Sequence, residues 1–363
     1  MNPTPNSNGV TLLAAVMLDP SRATLAASSP EWWQEVKRQA EVHGLSAVLA
    51  HRCGQYLSTS ESAASESVWM SGVVATHLAS HNRRLRELKA IYSALNAEGI
   101  RAVALKGPVL GERYLHPVYL KVSGDLDLLV DEADLLRASR CLASMGLREE
   151  DHELPWSVRR RRYHHIVMLP TDEQTDFASV ELHYRLPLQH TPIGTRDLLA
   201  RSQPWVGANG LQVRVLDPAD EAIYLAIHAA RHFFARLAWL HDTLMVFRSL
   251  SDSHRCEVME RARRAGKIKA LSVANRAAVE LFGEPLLADL PDFPAWPRFQ
   301  REALQTQRFQ QGMAWRERWH QHVLARKLGL QMLGSPRDFW DFAEENIFMP
   351  AVGKACSLLN NKM

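Results

Sequence analysis

An α+β fold is the class this sequence predicts, and three changes of pattern along the chain predict it. Apolar residues recur at helical spacing up to Gly99. Short runs that alternate or are wholly apolar follow between residues 100 and 190, and a long helical pattern resumes at Asp217-Pro218. Strands with interspersed helices, enclosed by helical text on both sides, place a sheet-containing core in the middle of the chain.

The elements follow in order. Residues 1 to 9 are polar and proline-containing and read as a loose terminus, and the short apolar run Val10 to Leu18 reads as the start of a helix. Helical text runs from Pro30, with a Ser-rich link at 58 to 67 read as a loop. A long amphipathic helix then covers Val68 to Glu98, with Leu78, Leu85, Leu88, Ile91 and Leu95 on its apolar face and Gly99 at its end. IRAVAL (100 to 105) reads as a buried strand, and the Gly107-Pro108 pair after it suits the first turn of a helix. GDLDLLV (124 to 130) is a second strand. DEADLLRASRCLASMGL (131 to 147) is a helix with acidic residues in its first turn. HHIVMLP (164 to 170) and SVELHYRL (179 to 186) read as further strands.

Asp217 before Pro218 matches a helix cap, and the periodicity beyond it predicts one long helix to about residue 250. A basic-faced helix at 255 to 282 and a proline-rich connection at 287 to 299 precede more helix. The expected division is an N-terminal helical region (1–98), an α+β core (99–216) and a C-terminal helical region (217–363). There is no internal repeat.

Composition narrows the function classes. The 363 residues are 46% hydrophobic and 23% charged, as in an ordinary globular protein, and the formal net charge of +3 is too small to imply nucleic-acid binding. The four cysteines form no CxxC pair or zinc spacing, no secretory signal opens the chain, and no apolar window is long enough to span a bilayer. A reduced, cytoplasmic protein is the expectation.

The chemistry is expected around GDLDLLV. Asp125 and Asp127 sit two apart, so in a strand they share a face while Leu126, Leu128 and Val130 take the other. Two carboxylates held together among apolar residues are unfavourable unless neutralised, and a bound cation neutralises them. Glu181 in SVELHYRL shares a face with His183 and Arg185; beside the first strand, it would complete an oxygen-rich set suited to Mg²⁺. Zinc is less suited, because the sequence shows no Cys or His cluster beside these carboxylates. Lys106-Gly107 lies where strand turns to helix, a place where backbone amides and an ammonium can cradle phosphates; it is not a P-loop, since the lysine precedes the glycine.

Taken in order, Leu105-Lys106-Gly107, Gly124 to Val130, Glu181-Leu182-His183, the HAARH of His228 to His232 and the WLHD of Trp239 to Asp242 resemble an uncharacterised bacterial nucleotidyltransferase family within the DNA polymerase beta-like superfamily. The resemblance covers residues 85 to 250. It implies a nucleotidyltransferase-like mixed sheet with flanking helices, and transfer of a nucleoside monophosphate from an NTP to an acceptor. Asp125, Asp127 and Glu181 are then the catalytic and metal-binding residues, holding two Mg²⁺ ions. Lys106, Gly107, Lys121, Gly124, His183 and Arg185 form the nucleotide-binding set. The first motif departs from the superfamily's usual Gly-Ser or Gly-Gly, and Lys121 is the nearest basic residue ahead of the Asp-x-Asp strand, where the closer family has arginine.

The acceptor expected is a small molecule, peptide or glycan rather than nucleic acid. A kinase-like phosphoryl transferase and a non-catalytic nucleotide-binding protein are the alternatives. His228 and His232, one helical turn apart, read as packing or as polar support behind the site, because the glutamate of a zinc-binding HExxH is missing and no third ligand is evident. Arg159 to Arg162 read as a solvated hairpin, and Trp32, Trp33, Trp315 and Trp319 as helix anchors.

Overall fold

The structure is a computed structural model, and it describes residues 9–23, 29–57, 63–121, 123–151, 156, 163–171, 177–186, 194–207, 210–232, 234 and 236–292. The expectations for Arg159 to Arg162, Trp315 and Trp319, and for helix beyond the proline-rich segment, lie outside those residues. The fold is α+β, a seven-stranded mixed sheet with flanking helices.

The strands are β1 (Ala102–Ala104), β2 (Leu126–Val130), β3 (Leu147–Glu149), β4 (His165–Pro170), β5 (Val180–His183), β6 (Gln203–Val206) and β7 (Gln212–Val215), in the order β3-β4-β5-β2-β1-β7-β6. β2 lies antiparallel to β1 and parallel to β5, and β1 lies parallel to β7. Every residue of β1 and β2 is buried. That is why IRAVAL and LDLLV read as nearly continuous apolar runs: central strands covered on both faces have no solvent side to mark with polar residues.

Among the described residues the helices are α1 (Gly9–Leu18), α2 (Pro30–Val42), α3 (Ser46–Leu57), α4 (Ala63–Ala97), α5 (Pro108–Tyr114), α6 (Leu135–Ser144), α7 (Thr195–Arg201), α8 (Pro218–Arg231), α9 (Leu237–Ser249), α10 (Asp252–Arg264) and α11 (Ile268–Phe282). Two apolar cores divide the sheet faces between them. Leu126, Leu128 and Val130 pack with Leu88, Ile91 and Leu95 of α4 and Leu142 of α6. On the opposite face, Val103 and Leu129 join a core that contains α1 to α3 and α8 to α11 together. Asp127, which alternates with Leu126 and Leu128, therefore points toward the α8 side.

Several elements differ from the sequence reading. α4 begins at Ala63, so residues 63–67 of the Ser-rich link are helix. Its first turn has a tertiary reason: buried Glu66 accepts from Trp33 Nε1 at 2.6 Å and pairs with Lys37 Nζ at 3.1 Å. The long helix from Asp217 is two helices. α8 stops at Arg231, Phe234 takes φ 54° and returns its N–H to the Ala229 carbonyl, and α9 folds back so that Trp239 meets the rings of His228 and His232, each at 5.1 Å. No glycine or proline marks that break. Strands β3, β6 and β7 were not predicted: β3 and β7 are short and interrupted by charged residues, and β6 is mostly exposed and carries Pro204.

Two contacts place the site-bearing elements. Glu221 of α8 is buried and takes Arg113 Nη1 at 2.7 Å and the Tyr114 hydroxyl at 2.7 Å, clamping α5 to α8. At Gly111 of α5, a Cβ would stand 2.9 Å from Lys121 Cβ, so glycine lets the segment leading into β2 pass against the helix. Across the sheet, β1 and β7 share one register pair, and the Tyr92 hydroxyl of α4 bridges them by donating to the Ala102 carbonyl and accepting the Arg214 N–H. Tyr92→Phe should lower stability by about 1–3 kcal/mol, because it orphans buried strand groups without making a large cavity. Urea denaturation reads this, and an unchanged midpoint would refute it.

Candidate functional site

Strand register builds the site. In the parallel pair of β2 and β5, Asp127 stands opposite Glu181, and Leu129 opposite His183. Sequence spacing alone gave each strand a polar face; the pairing puts the two faces side by side. Asp125 lies one residue ahead of β2, half-buried.

Lys106 follows β1. The Leu105 N–H donates to the Asp127 carbonyl at 3.1 Å, extending the β1/β2 ladder, and Lys106 Nζ then lies 2.9 Å from Asp127 Oδ1. His183 Nε2 meets the same oxygen at 3.0 Å and Glu181 Oε2 at 3.2 Å. The Asp127 side chain is 1% exposed and that of Glu181 is 26% exposed, so the cluster opens outward through Glu181. Burial alone would raise the Asp127 pKa, but Lys106 and His183 outweigh it and hold that carboxyl far below the usual range. Burial opposes the charge on Lys106, and Asp127 more than restores it. Asp125 has no such cation in contact: burial, then the charge of Asp127, push its pKa up.

The carboxylate repulsion evident in the sequence is thus answered in two ways. Asp127 is neutralised inside the protein, whereas Asp125 is left strained. Asp125→Asn should therefore raise the melting temperature of the metal-free protein at neutral pH, since an ionised carboxylate with a raised folded pKa opposes folding above that pKa. The gain should shrink as pH falls and Asp125 takes up its proton. Calorimetric melts in EDTA test this, and a lower melting temperature for the variant would contradict it.

The remaining predicted residues are spread around this centre. Gly107 caps α5 with φ 69°, and a Cβ there would stand 3.2 Å from Ser123 Oγ, so the LKG turn lies directly against the Ser123-Gly124 loop. A Cβ at Gly124 would meet nothing within 4 Å, leaving open space beside Asp125. Lys121 is buried and paired with Asp242 Oδ2 at 2.6 Å, joining the approach to β2 to the WLHD segment on α9. Arg185 lies over the Tyr184 ring and donates to the Tyr163 carbonyl at 3.3 Å.

The two histidines of HAARH, together with residues not assigned from sequence, complete the surroundings. Tyr224 and His228 of α8 are buried beside Lys106, whose positive charge, after burial itself, holds His228 uncharged. His232 is lowered to about 4 by burial and by Arg231. His164 and His165 approach His183, with ring centroids at 5.5 and 5.0 Å. This corrects the expectation that no histidine cluster lies near the carboxylates. The adjacent pair at the head of HHIVMLP was the available signal, obscured because alternation sends consecutive strand residues to opposite faces.

The donor set fits a divalent cation. Asp127, Glu181 and His183 each offer a ligand atom within 4.8 Å of the others, and Asp125 adjoins them with its charge disfavoured. Oxygen-rich sites of this kind suit Mg²⁺. A family model described as an uncharacterised nucleotidyltransferase matches residues 29–283, a span that contains all of these residues. No curated protein matches the chain at a significant level.

Proposed function

The chain belongs to the uncharacterised nucleotidyltransferase family, and from that premise we propose that it moves a nucleoside monophosphate group from an NTP to a small-molecule, peptide or glycan acceptor in the presence of Mg²⁺. The observation that carries this reading is the register of Asp127 against Glu181, with the strained Asp125 beside them. Those three carboxylates would hold the magnesium, for two ions in all. When bound, Mg²⁺ supplies charge neutralisation for the triphosphate and lowers the pKa of the acceptor hydroxyl.

The protein's own residues do the rest. Gly107 brings the backbone at the start of α5 close to the phosphates, with no Cβ in the way. Lys106, 14% exposed, can exchange its contact with Asp127 for the β- and γ-phosphates and offset charge on the departing pyrophosphate. His183 holds Asp127 and Glu181 in place from behind. Lys121, tied to Asp242, borders the approach to Gly124, and Arg185, tied to Tyr163, stands beyond the far end of β5 as a further cation for the nucleotide. The acceptor oxygen bonds to the α-phosphorus as the bond to the bridging oxygen breaks, and pyrophosphate leaves.

A cytoplasmic setting belongs to this reading, supported by the free thiols of Cys53, Cys141 and Cys256. No helix among the described residues is long and apolar enough to cross a membrane.

Titration calorimetry with the four NTPs, with Mg²⁺ and with EDTA, tests the proposal. Binding should require the metal and be lost in Asp125→Asn; affinity indifferent to both would overturn it. With acceptor present, release of pyrophosphate separates this chemistry from a kinase-like transfer, which releases nucleoside diphosphate.

A further inference from the structure

We propose that His164, His165 and His183 form a separate site for a borderline-soft divalent transition ion of the Zn²⁺ class, bound behind the carboxylate centre. The three rings each present a nitrogen within 4.8 Å of the other two. One ion with nitrogens at ~2.0–2.1 Å needs them about 3.3 Å apart, so the rings draw together by side-chain rotation when the ion binds.

Backbone geometry explains how two consecutive residues reach one place. His165 is the register partner of His183 in the antiparallel pair of β4 and β5, so their side chains share a face. Regular pairing ends just before it. The N–H groups of both Tyr184 and Arg185 donate to the His164 carbonyl, at 3.0 and 3.2 Å, so two residues of one chain segment oppose one of the other. This bulge-like arrangement re-aims His164 onto the same side, leaving its ring centroid 4.5 Å from that of His165.

The hydrogen bonds indicate that the rings need a ligand. His183 is 2% exposed, and its Nε2 is taken by Asp127 and Glu181. Nε2 is thereby engaged, and the nitrogen left to face an ion is Nδ1, which is buried with no hydrogen-bond partner. His165 Nδ1 is likewise buried without one. Two orphaned imidazole nitrogens in one cluster are unfavourable, and an ion that accepts both lone pairs removes the penalty. A carboxylate on the far nitrogen of a ligating histidine fixes its tautomer and strengthens it as a donor, and His183 has that arrangement with Asp127 and Glu181. Nitrogen ligands with one coordination position left open match zinc rather than magnesium. The ion would hold the β4 and β5 ends together and lock His183, and through it Asp127, in position.

The test uses the full chain without an affinity tag and without nucleotide, so its result is independent of the Mg-NTP reading. After dialysis against excess Mg²⁺, metal analysis should find one Zn²⁺ per chain, and Co²⁺ titration should give the visible absorption of a low-coordinate nitrogen site. His164→Gln and His165→Gln should each weaken Zn²⁺ binding at least ~100-fold, with melting curves confirming that both variants fold. Asp125→Asn should keep the ion. Absence of retained zinc in the parent chain overturns the proposal. So does equal retention by the double histidine variant, or a loss in Asp125→Asn as large as in the histidine variants, which would assign the ion to the carboxylates.

Discussion

Asp127→Asn is expected to abolish measurable Mg²⁺-dependent NTP binding, with a loss of at least ~100-fold, and to destabilise the protein as well. The second effect follows from the partners of this side chain. Lys106 Nζ at 2.9 Å and His183 Nε2 at 3.0 Å both depend on its charge, and none of the three is well solvated. Removing one member of a buried ion pair leaves the other charge uncompensated, at a penalty of about 3–5 kcal/mol. A neutral amide of similar shape is therefore not innocuous here, although strand geometry alone would suggest that it is. Because the Asp127 pKa is held below its ordinary 3.8, the stability it confers is present above about pH 4 and is lost as pH falls through the lower folded value. Parent and variant melts should accordingly converge only in acid. Pairing the change with Lys106→Met should restore part of the melting temperature, since both charges are then gone, without restoring Mg-NTP binding. Restored binding in the double variant would remove Asp127 from the metal set.

Lys106→Met should weaken NTP binding by ~10–100-fold, the range expected for a charge-assisted contact, while NMP binding changes by less than about threefold. Methionine keeps the unbranched stem and most of its volume while dropping the ammonium, so the comparison reports chiefly charge rather than packing. In the structure the ammonium is engaged with Asp127, which sharpens the expectation. A lysine that serves only to neutralise Asp127 would affect both nucleotides equally through the shared carboxylate. One that turns to the β- and γ-phosphates affects only the ligand that has them. Equal weakening in calorimetry would confine Lys106 to the structural role.

Much of this protein was legible before folding, and the legible part has a common cause. Helix and strand periods arise from backbone geometry acting over a few residues, so α4, α6, β2, β4 and β5 announced themselves, as did the Asp217 cap, whose side chain accepts the Ala219 N–H at 3.1 Å. The ordered motifs LKG, GDLDLLV and ELH likewise carried the family resemblance, because they lie at strand ends where local sequence sets direction. β3 and β7 are no shorter than β1 and β5 respectively, but Leu-Arg-Glu and Gln-Val-Arg-Val carry neither an apolar run nor a motif to mark them. The turn at Phe234 had no glycine or proline to mark it, being held by the packing of Trp239 on His228 and His232.

By itself, then, the sequence determined the α+β class and which carboxylates share a face within each strand. Only the tertiary structure decided that Asp127 faces Glu181 across β2 and β5, that Lys106 and His183 neutralise Asp127 while Asp125 stays strained, and that His164 swings beside His165. These are pairings between residues far apart along the chain, or consequences of a bulge created by such a pairing. Side-chain direction repeats with the local backbone and can be read from spacing, but Coulombic partners and desolvation depend on distance in space, which exists only once the sheet has closed its register.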